Sequence, residues 1–242
     1  MKFRHIRTEE REEGIGIITL NRPERRNAIS TQMRYEISDC LSHWKQSSSI
    51  GAVIFTGANN SFSAGFELSE FNNPDQFSQL FDSSSKYHRD VWHFPKPTIA
   101  AINGAAIGGG FDLATLFDVR ISSETAIFGH PEVKFGAPPI ITPLRWIVGE
   151  GIARELCLTG RKIDSQEAYR IGLISEIVDS DKVLNRAIEL AKEIIEAPWD
   201  ALKFSKAYFT GNAGRGFEES FYYEHDKAFQ EILLPKARKG FK

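Results

Sequence analysis

The sequence predicts an α/β fold in which helices cover a sheet, and three observations carry that prediction. Short β-rich apolar segments recur through the first half, amphipathic stretches separate them, and the composition is globular. Of the 242 residues, 41% are hydrophobic and 26% charged, a balance that buries a core and argues against disorder. "GIGIITL" (Gly14 to Leu20) alternates, while "AVIFTG" (Ala52 to Gly57) and "TIAAIN" (Thr98 to Asn103) are apolar runs of strand length. Between the first two lies "STQMRYEISDCLSHWKQ", where Met33, Ile37, Leu41 and Trp44 recur every three or four residues. Ser30 and Thr31 are favoured N-caps, so this stretch predicts a crossover helix. A second helical region around Gln79 to Trp92 precedes the third strand, and "DVRIS" and "AIFG" add two short strands. From about Leu144 the chain reads as helical, with little strand signal, through "DKVLNRAIELAKEIIE" and "GFEESFYYEHDKAFQEIL".

No repeat, low-complexity tract or flexible linker divides the chain, so the C-terminal helices are expected to belong to the same unit as the strands. A formal net charge of -2 provides no global basic field to hold a polyanion, which makes nucleic acid a poor first expectation. The N-terminal "MKFRHIRTEEREEG" has no apolar targeting core, and no run approaches the ~18 apolar residues of a membrane span. Cys40 and Cys157 lie far apart without CxxC or Cys/His spacing, so neither a zinc site nor a disulfide framework is expected. A soluble protein in a reducing, cytoplasmic setting follows as the expectation.

The stretch "NGAAIGGGFDLA", Asn103 to Ala114, places four glycines and one carboxylate directly after an apolar run. A dinucleotide fingerprint is one reading, but Gly104, Gly108, Gly109 and Gly110 do not make GxGxxG, and no phosphate-loop lysine follows. Close helix packing is a second. A third is an oxyanion site: "GGGFDLATLFD" opens a helix, whose first amides are unpaired. A second unusual turn, "SFSAGFEL" (Ser61 to Leu68), follows the strand "AVIFTG" and offers a second donor.

These residues carry a resemblance. "NRPERRNAIS", "FSAGFEL", "KPTIAAINGAAIGGGFDLA", "FGHPEVKFG" and "LTGRKIDSQEAYRIGLISEIV" stand in the order and spacing of the crotonase superfamily, the enoyl-CoA hydratase/isomerase family, from about Gly14 to at least Val178. Each motif is weak alone; five in register are specific. The resemblance implies a crotonase-like (ClpP/crotonase) fold of repeated ββα units. Residues 1–190 would form the acyl-CoA-binding core, and residues 191–242 a helical region, in the same structural unit, that mediates homotrimers, often paired into hexamers. It also implies an acyl-CoA thioester substrate of fatty acid metabolism, with CoA part of that substrate and no separate cofactor; no metal-ligand spacing is visible, and neither a membrane nor a nucleic-acid partner is expected.

Carried over by motif, the thioester oxygen would be held by the backbone amides of Phe66 and Gly109, beside Gly65 and Gly108. Asp112 matches the first acid position of similar hydratases, where glutamate is more usual, and Glu132 in "GHPE" matches the second. Two carboxylates in unlike environments can divide acid and base roles around one water. Arg25 or Arg26 would lie near the CoA phosphates, the Ala28 carbonyl near the pantetheine and Ala64 near the adenine. Ile140 stands where similar dienoyl-CoA isomerases carry a further aspartate, and "GAPPIITPLRW" is bulkier and stiffer than the glycine-rich segment of typical hydratases. His130 reads as a shape and hydrogen-bonding residue rather than a base. His88 and His93 read as surface or packing residues near the acyl pocket, and Asp118 with Arg120 as a structural pair. Trp92, Phe94, Tyr222 and Tyr223 read as core or subunit contacts.

The function expected is therefore an enoyl-CoA hydratase-like enzyme. An enoyl-CoA or dienoyl-CoA isomerase, or a thioester or C–C hydrolase of the same superfamily, is the catalytic alternative. A non-catalytic acyl-CoA- or RNA-binding scaffold, with the tail "KARKGFK" as its basic patch, is the alternative of a different class; two carboxylates in place argue against it.

Overall fold

The computed structural model describes residues 2–211. The chain runs through β1 (Ile6–Arg11), β2 (Ile15–Leu20), α1 (Thr31–Gln46), β3 (Ala52–Gly57), β4 (Ser61–Ser63), α2 (Phe77–Trp92), β5 (Thr98–Ile102), β6 (Ala105–Ile107) and α3 (Gly109–Thr115). It continues with β7 (Val119–Ser123), β8 (Ile127–Gly129), α4 (Thr142–Val148), α5 (Glu150–Thr159), β9 (Lys162–Asp164), α6 (Ser165–Arg170), β10 (Glu176–Val178), α7 (Val183–Ile195) and α8 (Trp199–Gly211). A long strand, a short strand and a helix repeat as β3–β4–α2 and β5–β6–α3. The long strands and β10 form a six-stranded sheet ordered β1-β2-β3-β5-β7-β10, parallel except for the β1–β2 hairpin. The short strands make a second sheet ordered β4-β6-β8-β9. Because β4 pairs in parallel with β6, and β6 with β8, the turns that leave these three strands emerge side by side.

Both faces of the large sheet are covered, which is why its strands read as apolar runs. Ile15, Ile17, Ala52, Ile54, Ile99, Ala101 and Ile121 pack against Val183, Ala187, Ile188 and Ala191 of α7. Their alternates, among them Ile18, Leu20, Val53 and Phe55, join Met33, Ile37, Leu41 and Trp44 of α1 in the main core. Ser30 is the N-cap of α1, its hydroxyl accepting from the Met33 amide at 3.2 Å. Gly16 is a glycine for want of room: a Cβ there would stand 2.7 Å from the Trp44 ring.

One strand was not expected, and two expectations need correction. The charged stretch "IRTEER" is strand β1, an edge strand held by Glu36 of α1, whose carboxylate accepts the amides of Arg4, His5 and Ile6. Strands β9 and β10 interrupt the region read as helical; at three residues each they carry no periodicity, and pairing with β8 and β7 defines them. Asp118 and Arg120 do not pair with each other among the described residues. Asp118 accepts from Lys206 at 2.6 and 2.7 Å and from Thr98, whereas the Arg120 guanidinium donates to the Leu173 and Phe117 carbonyls. Phe94 is buried and Trp92 packs on the core as expected. The helix expected in "GFEESFYYEHDKAFQEIL", Tyr222, Tyr223 and the basic tail lie outside the described residues. No helix among the described residues is long and apolar enough to cross a membrane.

Candidate active site

The turns after β4 and β6 demand glycine. Gly65 has φ +95° and Gly108 φ +53°, conformations that side-chain-bearing residues rarely adopt. The two turns touch: a Cβ on Gly109 would lie 3.4 Å from the Phe66 nitrogen, and one on Gly65 would lie 3.1 Å from the Gly109 nitrogen. The preceding loop is zipped to them by bonds from the Ala64 amide to the Arg26 carbonyl and from the Ile29 amide to the Gly65 carbonyl, at 2.9 and 2.7 Å. None of the hydrogen bonds among the described residues uses the amide of Phe66 or Gly109. Two unpaired donors side by side, one in the first turn of α3, suit a developing oxyanion.

Arg34 of α1 sets the Phe66 ring. Its buried guanidinium lies 5.0 Å from the ring centroid and is held by Ser83, the Ile29 carbonyl, Thr31 and Glu70.

The two acids come from different elements. Asp112 lies in the first turn of α3 and Glu132 in the 3-10 turn Pro131–Phe135 that follows β8. Asp112 is only 7% exposed. Burial pushes its carboxyl up to about 7, the Glu132 charge adding to the effect while His130 and the Ile140 amide oppose it. That amide donates to Asp112 Oδ1 at 3.3 Å, so Ile140 enters the site through its backbone. Between the acids lies the buried His130, stacked on Phe111 at 4.6 Å. Its Nδ1 is 2.9 Å from Glu132 Oε1 and its Nε2 3.6 Å from Asp112 Oδ1. Glu132 Oε2 and His130 Nε2 are buried without a hydrogen-bond partner. A Cβ on Gly108 would stand 3.2 Å from Glu132 Oε2, so the bare glycine also admits the second acid to the donor turn.

The structure thus brings Gly65, Phe66, Gly108, Gly109, Asp112, Glu132 and the Ile140 backbone together. Asp112, His130 and Glu132 offer donor atoms within 4.8 Å of one another, close enough to share a cation. The Nδ1–Oε1 bond already pairs two of those atoms. Arg25 and Arg26 sit exposed on the first turn, with Ala64 exposed beside Arg26. The Ala28 carbonyl accepts from Arg22 at 2.8 Å, and Arg22 also pairs with Glu67 at 3.0 Å, a bridge the sequence reading missed.

One further residue of α2, Tyr87, was missed as a site neighbour. The Tyr87 hydroxyl is buried and unpartnered; burial raises its phenol, and the Asp112 charge adds to that. His88, expected as a surface or packing residue, bonds through Nδ1 to the Ser84 carbonyl at 2.8 Å and leaves Nε2 buried and unpartnered. Leu80, Ser83, Tyr87 and Val91 form the buried stripe of α2 at helical spacing, the one signal that marks Tyr87 as inward. His88, Trp92, Leu116, Ile140, Pro143 and Trp146 line an apolar slot of about 330 Å³. The slot adjoins the acids through Ile140 and the donor turn through His88, whose ring lies 6.0 Å from that of Phe66. His93, also on the rim of the slot, is exposed.

Comparison with known proteins points one way. A family model described as enoyl-CoA hydratase/isomerase matches residues 10–240. The chain is 36% identical over 236 residues to the short-chain-enoyl-CoA hydratase of Clostridium acetobutylicum, covering 95% of this chain and 90% of that protein. It is 34% identical over 198 residues to the mitochondrial enoyl-CoA hydratase of Pongo abelii, covering 79% and 68%. The 1.8 Å crystal structure of an enoyl-CoA hydratase from Bacillus anthracis superposes with a TM-score of 0.91 at 29% identity, over 97% of this chain and 93% of that one.

Proposed function

The chain belongs to the enoyl-CoA hydratase/isomerase family, and from that premise we propose that it adds water to a 2-enoyl-CoA, giving a 3-hydroxyacyl-CoA. The observation that carries this reading is the meeting of two unpaired amides with two carboxyl groups at the ends of neighbouring short strands. Attack of water at C3 moves charge onto the thioester oxygen, where the Phe66 and Gly109 amides stabilise the enolate. One carboxyl group takes the water's proton and the other delivers a proton to C2. The acyl chain extends into the apolar slot beside Ile140, and the CoA lies along the first turn, with Arg25 and Arg26 near its phosphates and Ala28 and Ala64 near the pantetheine and adenine. CoA belongs to the substrate, and the reaction takes no other cofactor. A cytoplasmic setting suits the two buried free thiols, Cys40 and Cys157. Trimers, or pairs of trimers, are the assembly that suits the family.

Crotonyl-CoA tests the reading. Loss of the conjugated thioester absorbance with a product heavier by one water supports it, and Glu132→Gln lowers turnover by about 10²–10⁴-fold while CoA binding survives. An isomerase that moves the double bond through Glu132 alone would instead prefer 3-enoyl-CoA and tolerate Asp112→Asn. No water adduct from crotonyl-CoA overturns the hydratase reading.

A further inference from the structure

We propose that His130 divides the acid and base roles. Its Nδ1–H donates to Glu132 Oε1 and leaves Oε2 free to take the water's proton, while its bare Nε2 accepts from the carboxyl of Asp112, which supplies the proton for C2. This rests on the hydratase reading above and assigns to His130 a positioning role beyond shape.

The geometry leads to it in steps. A carboxylate that is to take the water's proton can only accept hydrogen bonds, so the base role assigned to Glu132 requires the ring proton on Nδ1, 2.9 Å from Glu132 Oε1. A neutral ring then presents a lone pair at Nε2, and the nearest partner is Asp112 Oδ1 at 3.6 Å, with no other hydrogen-bond partner. Two lone pairs facing each other in a buried space repel; a proton on Asp112 turns that contact into a donor–acceptor pair that tightens when substrate closes the site. Burial first, and then the Glu132 charge, raise the Asp112 carboxyl and favour a proton there, an effect that a charged His130 ring opposes and a neutral one does not. Both Glu132 oxygens are then accounted for: Oε1 is fixed by the ring, and Oε2 is buried, unpartnered and next to the donor turn. The other titratable groups near the trio are Tyr87 from α2, which senses Asp112, and Cys157 from α5, which senses both acids. Burial raises both, so each stays neutral through the working range.

The step balances. The water oxygen bonds to C3 and its proton to Glu132 Oε2, the π electrons of the double bond pass into the enolate, and C2 then takes the proton of Asp112. The next water, bound between the carboxyl groups, carries the proton from Glu132 back to Asp112.

Two variants separate this role from packing. His130→Phe keeps the ring and its stack on Phe111 but removes both nitrogens; His130→Gln loses the stack but retains an amide donor for Oε1. The expected result is that the acid limb of the kcat/KM profile for crotonyl-CoA moves to higher pH in H130F. That is a loss of up to about tenfold at pH 6 for each pH unit of movement, with KM changed little and H130Q partly restoring the limb. A parent-like profile in H130F, with H130Q the worse enzyme, overturns the proposal in favour of shape alone. Nitrogen NMR of the unaltered protein is the second measurement and needs no variant to fold: a neutral ring protonated at Nδ1 supports the proposal, and an imidazolium or an Nε2–H ring overturns it. If the parent does not hydrate crotonyl-CoA, the hydratase reading falls by itself, while the NMR result still decides the proton positions.

Discussion

At Asp112, burial and charge pull against each other. The carboxyl sits 7% exposed beside a second acid, so it holds its proton up to about 7 although its ordinary value is 3.8. Between those two values the native state binds more protons than the unfolded chain, and stability falls as pH rises through that window. Asp112→Asn removes this cost. The variant is expected to gain on the parent as pH rises from 5 to 8, by up to about 3 kcal/mol, since the two units between pH 5 and pH 7 are worth about 1.4 kcal/mol each, as read from urea unfolding at the two pH values. An equal difference at pH 5 and pH 8 contradicts the assignment. The acid itself is legible in the sequence through the resemblance, which matches Asp112 to the first acid position of similar hydratases. Its raised carboxyl is not, because the groups that surround it arrive from residues 130, 132 and 140.

Helix α1 and strand β2 show the same division at the scale of elements. The stripe Met33, Ile37, Leu41 and Trp44 is a periodicity any helix displays, and the structure buries all four. What the stripe packs on cannot be read from it. The Trp44 ring occupies the space a side chain at Gly16 would need, 2.7 Å from a built Cβ, while its indole nitrogen is tied to Glu10. Gly16→Ala is therefore expected to cost about 1–3 kcal/mol by overpacking, seen as a lower thermal midpoint; an unchanged midpoint would show that the ring gives way. Strands of three residues such as β9 and β10 escape sequence reading for a related reason. Their identity lies in a ladder with β8 and β7, not in their own pattern.

For the molecule as a whole, apolar surface is the telling feature. Leu68, Phe81 and Phe135 are 76%, 71% and 84% exposed, and Trp146 is exposed as well. Association into trimers or hexamers would cover such surface, and sedimentation equilibrium should return three or six times the chain mass; a monomer at micromolar concentration would count against that assembly. The sequence by itself determined the α/β class and the two glycine turns, each written in a short contiguous stretch, and five motifs in register gave the resemblance that picks out the two acids. Tertiary structure alone decided that His130 lies between those acids, that the Ile140 amide reaches Asp112 across 28 residues, and that Arg34 sits under the Phe66 ring. These contacts join elements brought together by parallel pairing of the short strands, and no local periodicity encodes which side chains meet across such a junction.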